Sequence, residues 1–199
     1  MTYIIILNYN GWKDTIECLN SLSCIQEDCK IVLIDNKSTD DSIDKLEKWI
    51  QNQKELSSNL IFIKSSENNG YAAGNNIGIK YVESQEDAQF IWILNNDTLI
   101  QEDTFKNLIN CYKNLENENI ALLGSKILNE DFSIQSIGYL NSKYTEDEIK
   151  SKSSIEVEHI SGCSIFFRAD KIKEIGYIPE EYFLYYEEID FSCRIKDLY

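Results

Sequence analysis

Three short aliphatic runs in this chain each stop in a cluster of amides and acids, and that recurrence constrains the fold more than any other feature. Phe90 to Leu94 ends in Asn95-Asn96-Asp97, Ile4 to Leu7 ends in Asn8-Tyr9-Asn10-Gly11, and Ile31 to Ile34 ends in Asp35-Asn36-Lys37-Ser38. Brief apolar runs bounded by turn residues read as strands covered on both faces, the pattern of a parallel sheet. Ligands of open α/β sheets bind in the crevice outside the carboxyl ends of the strands, so the three polar clusters are expected to meet on one edge as a site.

Between these runs the apolar spacing becomes helical. Ile16, Leu19 and Leu22 follow Gly11; Ile43, Leu46, Trp49 and Ile50 follow Ser42; Phe105, Leu108, Ile109, Tyr112 and Leu115 form the clearest stripe. The reading is an α/β fold of repeated βαβ units with a mostly parallel central sheet flanked by helices. Strands are expected at Tyr3–Leu7, Lys30–Ile34, Leu60–Ile63, Gln89–Leu94 and Ile120–Gly124, and a loop from Glu67 to Gly74 is expected to lead into a helix from Asn75 to Val82. Asn129 to Ser154 reads as a polar insertion or β-meander. Further on, strands are expected at Ile155–Ile160 and Cys163–Phe167, and helices at Asp170–Ile175 and Glu187–Lys196.

The 199 residues fit one domain able to bury a proper core, here divided at 1–128 and 129–199. Nineteen Lys and Arg against 34 Asp and Glu give a formal charge of -15, which argues against a nucleic-acid footprint and suits a divalent cation. Six cysteines without zinc spacing read as reduced structural thiols, and the expected location is cytoplasmic. No run approaches the roughly 20 apolar residues of a spanning helix.

The chemistry concentrates in five places. Asp97, with Asn95 and Asn96 beside it, offers the hard oxygens that Mg²⁺ or Mn²⁺ takes together with substrate phosphates, although Asn96-Asp97-Thr98 alone would also suit an Asx turn. Asp35 and Asn36 lie where a carboxylate or amide can bond to a nucleotide base, with one of Asp40, Asp41 and Ser42 capping the next helix. The ring of Tyr9 can lie against such a base, with Asn8 and Asn10 beside it. The small residues around Gly70 allow backbone to approach a ligand, and Asn75 stands where an anion meets a helix N-terminus. Glu187, Glu188 and Asp190 open the last helix, Asp190 being spaced to pair with Arg194. The Tyr182–Tyr186 run is expected to bury that helix start, giving a partly desolvated carboxylate suited to general base work. His159, the only histidine, reads as packing.

In this order the motifs resemble those of the family 2 glycosyltransferases of GT-A fold, inverting enzymes that use nucleoside-diphosphate sugars. The wording is most similar to the bacterial branch that builds cell-surface polysaccharide and includes rhamnosyltransferases. The resemblance rests on Asn8-Tyr9-Asn10, Asp35 to Ser42, Asn68 to Gly78, Asn95-Asn96-Asp97, Ser161-Gly162-Cys163, and Tyr185 to Asp190 with Arg194. It implies a UDP- or dTDP-linked donor, a saccharide or lipid-linked acceptor at the inner face of the membrane, and Mn²⁺ or Mg²⁺ as cofactor. Asp35 and Asn36 would contact the base with Tyr9 packed near it, Asp97 would hold the metal with help from Asn96, and Glu188 would be the catalytic base, with its neighbours Glu187 and Asp190 as the other candidates. Three departures stand out: one carboxylate in the metal element, glutamate where the family places aspartate, and an early end at Tyr199 that implies a shortened catalytic half. A nucleotide-sugar-binding module acting with a partner is the alternative. A nucleotidyltransferase ranks last, since no glycine- and lysine-rich phosphate loop follows the first strand.

Overall fold

The structure, a computed structural model, describes residues 1–25, 28–53, 58–115, 120–140, 144–196 and 198. Four strands, β1 (Thr2–Asn8), β2 (Cys29–Asp35), β3 (Leu60–Lys64) and β4 (Phe90–Asn95), run parallel. The helices α1 (Trp12–Ser21), α2 (Ser42–Asn52) and α3 (Gly70–Glu83) connect them in turn, and α4 (Thr104–Asn114) follows β4. The short strands β5 (Leu123–Gly124), β6 (Ile127–Leu128) and β7 (Ile134–Ser136) come next, then α5 (Glu146–Ser151), β8 (Ser164–Arg168), α6 (Ile172–Ile175) and α7 (Glu187–Lys196). The six-stranded sheet has the order β3-β2-β1-β4-β8-β5, with β8 antiparallel to both neighbours, and β6 pairs with β7 in a separate ribbon.

Alternation within the central strands builds two cores. Tyr3, Ile5, Val32, Ile34, Ile91, Ile93 and Phe167 pack beneath α3, α6 and α7; Ile4, Ile6, Leu33, Trp92, Leu94 and Phe166 pack beneath α1, α2 and α4. Successive side chains of a strand point to opposite faces, so a strand covered on both sides is apolar throughout. The expected α/β architecture is therefore observed.

The chain steps from β1 outward to β2 and β3, then crosses back to β4 on the other side of β1. The two outward paths part between β1 and β4, which places the switch-point crevice between Asn8-Tyr9-Asn10 and Asn95-Asn96-Asp97.

Several local expectations fail. The helix expected from Asn75 starts at Gly70, because Gly74 and Gly78, one turn apart, let α3 lie directly on the sheet. A Cβ at Gly74 would sit 2.6 Å from Leu7 and one at Gly78 2.7 Å from Ile5. Ile120–Gly124 shrinks to the two-residue β5, and Ile155–Ile160 supplies one isolated bridge, His159 to Tyr139. The stretch 129–154 holds β7 and the capped helix α5, Thr145 and Glu148 bonding reciprocally as a capping box, while 141–143 lie outside the described residues. Asp170–Ile175 is helical, but as a 3₁₀ turn leading into the four-residue α6.

Candidate active site

The floor of the crevice is a hydrogen-bonded set at the ends of β1 and β2. Asn8 is fully buried, its Nδ2 donating to Asp35 Oδ2 at 2.7 Å and Ser38 Oγ at 3.1 Å, while Thr15 Oγ1 donates to its Oδ1 at 2.8 Å. Asp35, also fully buried, accepts from the Ser38 backbone N–H (2.8 Å) and hydroxyl (2.7 Å). Asp35 and the Asn8 amide nitrogen thus fix the loop after β2, while the Asn8 oxygen holds Thr15 of α1. Asn10, in the left-handed region at φ 53°, accepts at Oδ1 from the backbone N–H of Thr39 (2.8 Å) and Asp40 (3.3 Å). Tyr9, 47% exposed, stands at the mouth. Asp41 makes no side-chain cap for α2; Asp40 Oδ1 instead accepts from the Ser42 backbone N–H at 3.0 Å, because the loop is already held from Asn10.

Thr15 joins this floor to the end of β4, for Asn96 Nδ2 donates to its hydroxyl at 2.9 Å. Asp97, next in sequence, is exposed, and among the described residues no hydrogen bond or ion pair engages its carboxylate. A free carboxylate at a sheet edge is what a diphosphate-bound divalent cation accepts, and no cluster of three acids, histidines or cysteines among the described residues competes for the ion. The residues fit a cation that arrives with the phosphates.

The third wall joins α3 to α7. Asn36 Nδ2 donates to Asn68 Oδ1 (2.9 Å) and to the Gly70 carbonyl (3.1 Å), fixing the start of α3. Gly70 has φ +93°, and a strap from Gly176 to Tyr186 passes so close that the Tyr71 N–H donates to the Phe183 carbonyl at 2.9 Å. Asn76, fully buried, holds the same strap by bonding both the N–H and the C=O of Ile178, at 3.1 and 2.8 Å. Contrary to expectation, most of the Tyr182–Tyr186 run does not bury the start of α7: Tyr182 is half-buried, but Phe183, Leu184, Tyr185 and Tyr186 are 50–70% exposed. Left-handed backbone at Tyr185 and Tyr186 (φ 69° and 73°) accompanies this outward display.

Glu187 is 4% exposed and its Oε2 has no partner; Glu188 is half-buried, with Oε2 likewise buried and unpartnered. Asp190 is different, since Arg194 binds it through Nε (2.8 Å) and Nη2 (3.1 Å). Asn75 Oδ1 and Asn95 Oδ1 are two further buried acceptors without a donor. Asn75 Nδ2 donates to the Tyr71 carbonyl at 3.0 Å, and Asn95 Nδ2 to Cys163 Sγ at 3.6 Å. Buried polar groups are normally satisfied, so four unsatisfied acceptors around Tyr71 and Cys163 mark a place prepared for groups that bring donors. Sequence reasoning included Tyr71, Asn76, Gly162 and Cys163 in its motifs but gave them no individual role. A helix begun at Gly70 would have flagged Tyr71, because Tyr71, Asn75 and Gly78 then share one face.

Burial, and then the charge of Glu188, push the Glu187 carboxyl above its ordinary value of 4.5. The folded state therefore resists ionising a group that the unfolded chain ionises freely, and its stabilising effect is lost as pH rises from 4.5 through the raised value. Glu187→Gln is expected to melt about 2–4 °C higher than the wild type at pH 7.5, equivalent to about 1 kcal/mol for a domain of this size. The gap should close at pH 4 and below. Parallel melting curves at both pH values check this, and a gap of equal size at both would refute it.

The mostly parallel sheet with its switch-point crevice has the architecture of the GT-A fold. TarS of S. aureus (residues 1–349) superposes with a TM-score of 0.67 at 20% identity, covering 97% of this chain and 54% of that one. The mannosyltransferase PcManGT of Pyrobaculum calidifontis, solved with GDP-Man and Mn²⁺, superposes with a TM-score of 0.66 at 16% identity over 90% of this chain and 48% of its own. The sequence profile described as Glycosyl transferase family 2 matches residues 3–176, and the chain belongs to that family. It is 27% identical to the low-salt glycan biosynthesis hexosyltransferase Agl10 of Haloferax volcanii, over 97% of this chain and 61% of that protein. Against the minor teichoic acid biosynthesis protein GgaB of Bacillus subtilis it is 28% identical, over 82% of this chain and 17% of that protein. The chain thus spans less than two thirds of these relatives. No helix among the described residues is long and apolar enough to cross a membrane.

Proposed function

We propose that this chain carries the catalytic machinery of an inverting glycosyltransferase that moves a sugar from a nucleoside-diphosphate donor to a hydroxyl of a saccharide or lipid-linked acceptor. On this reading it serves cell-surface polysaccharide synthesis at the cytoplasmic face of the membrane. The observation that carries the reading is the undonated, buried Oε2 of Glu188 on the same sheet edge as the free carboxylate of Asp97. Residues 1–128 form the donor half and 129–199 the acceptor and catalytic half.

Tyr9 and Asn36 flank the base. Asn8, Asn10 and Asp35 act on the nucleotide through the loop they hold, Gly70 and Asn75 through the start of α3, and Asn96 by fixing Asp97. Asp97 would hold Mn²⁺ or Mg²⁺, which when bound supplies positive charge to the departing diphosphate. Glu188 takes the proton of the acceptor hydroxyl as its oxygen bonds to the anomeric carbon. The bond from that carbon to the diphosphate oxygen breaks with its electron pair leaving on the nucleoside diphosphate. One displacement inverts the anomeric centre. Asp190, held by Arg194, supports α7, and Glu187 remains the desolvated neighbour of the base.

Thermal shift with UDP, dTDP and GDP, each with Mn²⁺, Mg²⁺ or chelator, tests the donor site. One nucleotide at 100 times its Kd should raise the melting temperature by about 5–10 °C, from about 2.7 kcal/mol of linkage, and only with metal. Asp97→Ala should abolish the response. A flat panel on the wild type would sink the reading, and binding without sugar transfer to any acceptor would leave a donor-binding module in its place.

A further inference from the structure

Tyr71 touches both flanks of the Glu188 pocket. Its backbone N–H donates to the Phe183 carbonyl at 2.9 Å, which holds the strap five residues before Glu188. Its hydroxyl donates to the Gly162 carbonyl at 2.7 Å. Gly162 is the wall against which the Glu188 side chain rests, since a Cβ placed there would lie 3.6 to 3.8 Å from the Cβ, Cγ and Cδ of Glu188. One residue on α3 therefore ties the loop between Ile160 and Ser164 to the strap that runs into α7.

Among the described residues the loop is otherwise held by the Asn95 N–H to the Cys163 carbonyl at 3.0 Å, the weak Asn95 Nδ2 to Cys163 Sγ contact and bonds within the loop to Ser161, and its end by Trp92 Nε1 donating to Ser164 Oγ at 2.8 Å. Burial first, and then the nearness of the ionisable side chains of Cys163, Glu187 and Glu188, push the Tyr71 phenol far above its ordinary range, so its proton stays in place as the donor to Gly162 at any working pH. A catalytic side chain must be held to a fraction of an ångström by packing and hydrogen bonds behind it, and small misplacements at the reacting atoms cost large factors in rate.

We propose that Tyr71 is a positioning residue for the base, its hydroxyl bracing the Gly162 wall that keeps Glu188 aimed at the acceptor hydroxyl. The inference rests on the transferase reading and adds a residue that does not touch substrate. Tyr71→Phe removes the hydroxyl and keeps the ring. With the nucleotide sugar that the donor panel selects, nucleoside diphosphate release should fall about tenfold in kcat while KM for the donor stays within about twofold. Hydrogen exchange on the same variant without ligand should speed up about tenfold at 161–164 and at the first turn of α7, with β1, β2 and α2 unchanged.

A variant with wild-type kcat and unchanged exchange at 161–164 would overturn the proposal. So would one that loses nucleotide binding and melts early throughout, for then Tyr71 merely supports the fold. If the wild type turns over no nucleotide sugar, the transferase reading fails, and the exchange pattern still decides whether Tyr71 braces the loop.

Discussion

Replacing Glu188 with glutamine is expected to cut sugar transfer by about 10²–10⁴-fold, the usual contribution of a general base, while nucleotide affinity stays within about twofold. Glutamine has the shape of glutamate and fits against Gly162 equally well, but its amide cannot take a proton from the acceptor hydroxyl. On the proposed reading the donor contacts lie across the crevice, at Tyr9, Asn36 and Asp97, and do not involve this side chain. Single-turnover transfer and nucleotide thermal shift on the same preparation separate the two effects. The assignment would move to Glu187 if Glu188→Gln transferred sugar normally and Glu187→Gln did not. Asp190→Asn should behave as a stability variant, because its carboxylate is already bound to Arg194 on the same face of α7.

The second large effect concerns backbone. Gly70→Ala is expected to destabilise the fold by at least about 2 kcal/mol, or roughly 4–8 °C of melting temperature, and to impair transfer as well. Two causes add. Gly70 has φ +93°, which an L side chain tolerates poorly, and its Cβ would fall 2.1 Å from the Phe183 carbonyl oxygen. That oxygen cannot retreat without losing the bond from the Tyr71 N–H, and the strap it belongs to leads into Glu187 and Glu188. Gly176→Ala supplies the control: Gly176 has φ +76° with nothing within 4 Å of its Cβ position, so only the backbone cost should appear. Melting curves that place the two variants together would show that the strap yields freely and that its contact with α3 does not organise the site.

How much of this could be read beforehand differs between the halves. The strands ending at Asn8, Asp35 and Asn95 were legible because full burial on both faces leaves an aliphatic run that only a polar edge can terminate. Helices α1, α2 and α4 were legible because each packs one stripe against one side of the sheet. The first turn of α3 was not, since the glycines that suggest a loop are there to bring the helix close to Leu7, Asn36 and Ile5. The stretch 155–160 has strand composition, yet its described pairing is one bridge between His159 and Tyr139, whose rings stack at 5.3 Å.

The candidate site divides in the same way. Sequence picked out Asn8, Asp35, Asn36, Asn96, Asp97 and the acids of α7 by their place at element ends. It could not say that Asn8 and Asp35 point inward and satisfy each other while Asp97 stays free, nor that the aromatics before α7 face outward. Local periodicity and turn chemistry, acting between near neighbours in the chain, determined the α/β architecture and the edge that bears the candidate site, while the family followed from the resemblance of its motifs and the match of the family profile. Tertiary structure alone decided which carboxylate is paired, which is buried without a donor, and which tyrosine joins α3 to the strap and the Gly162 loop. Those outcomes depend on contacts such as Tyr71 to Gly162, 91 residues apart, whose distances and burial no spacing along the chain encodes.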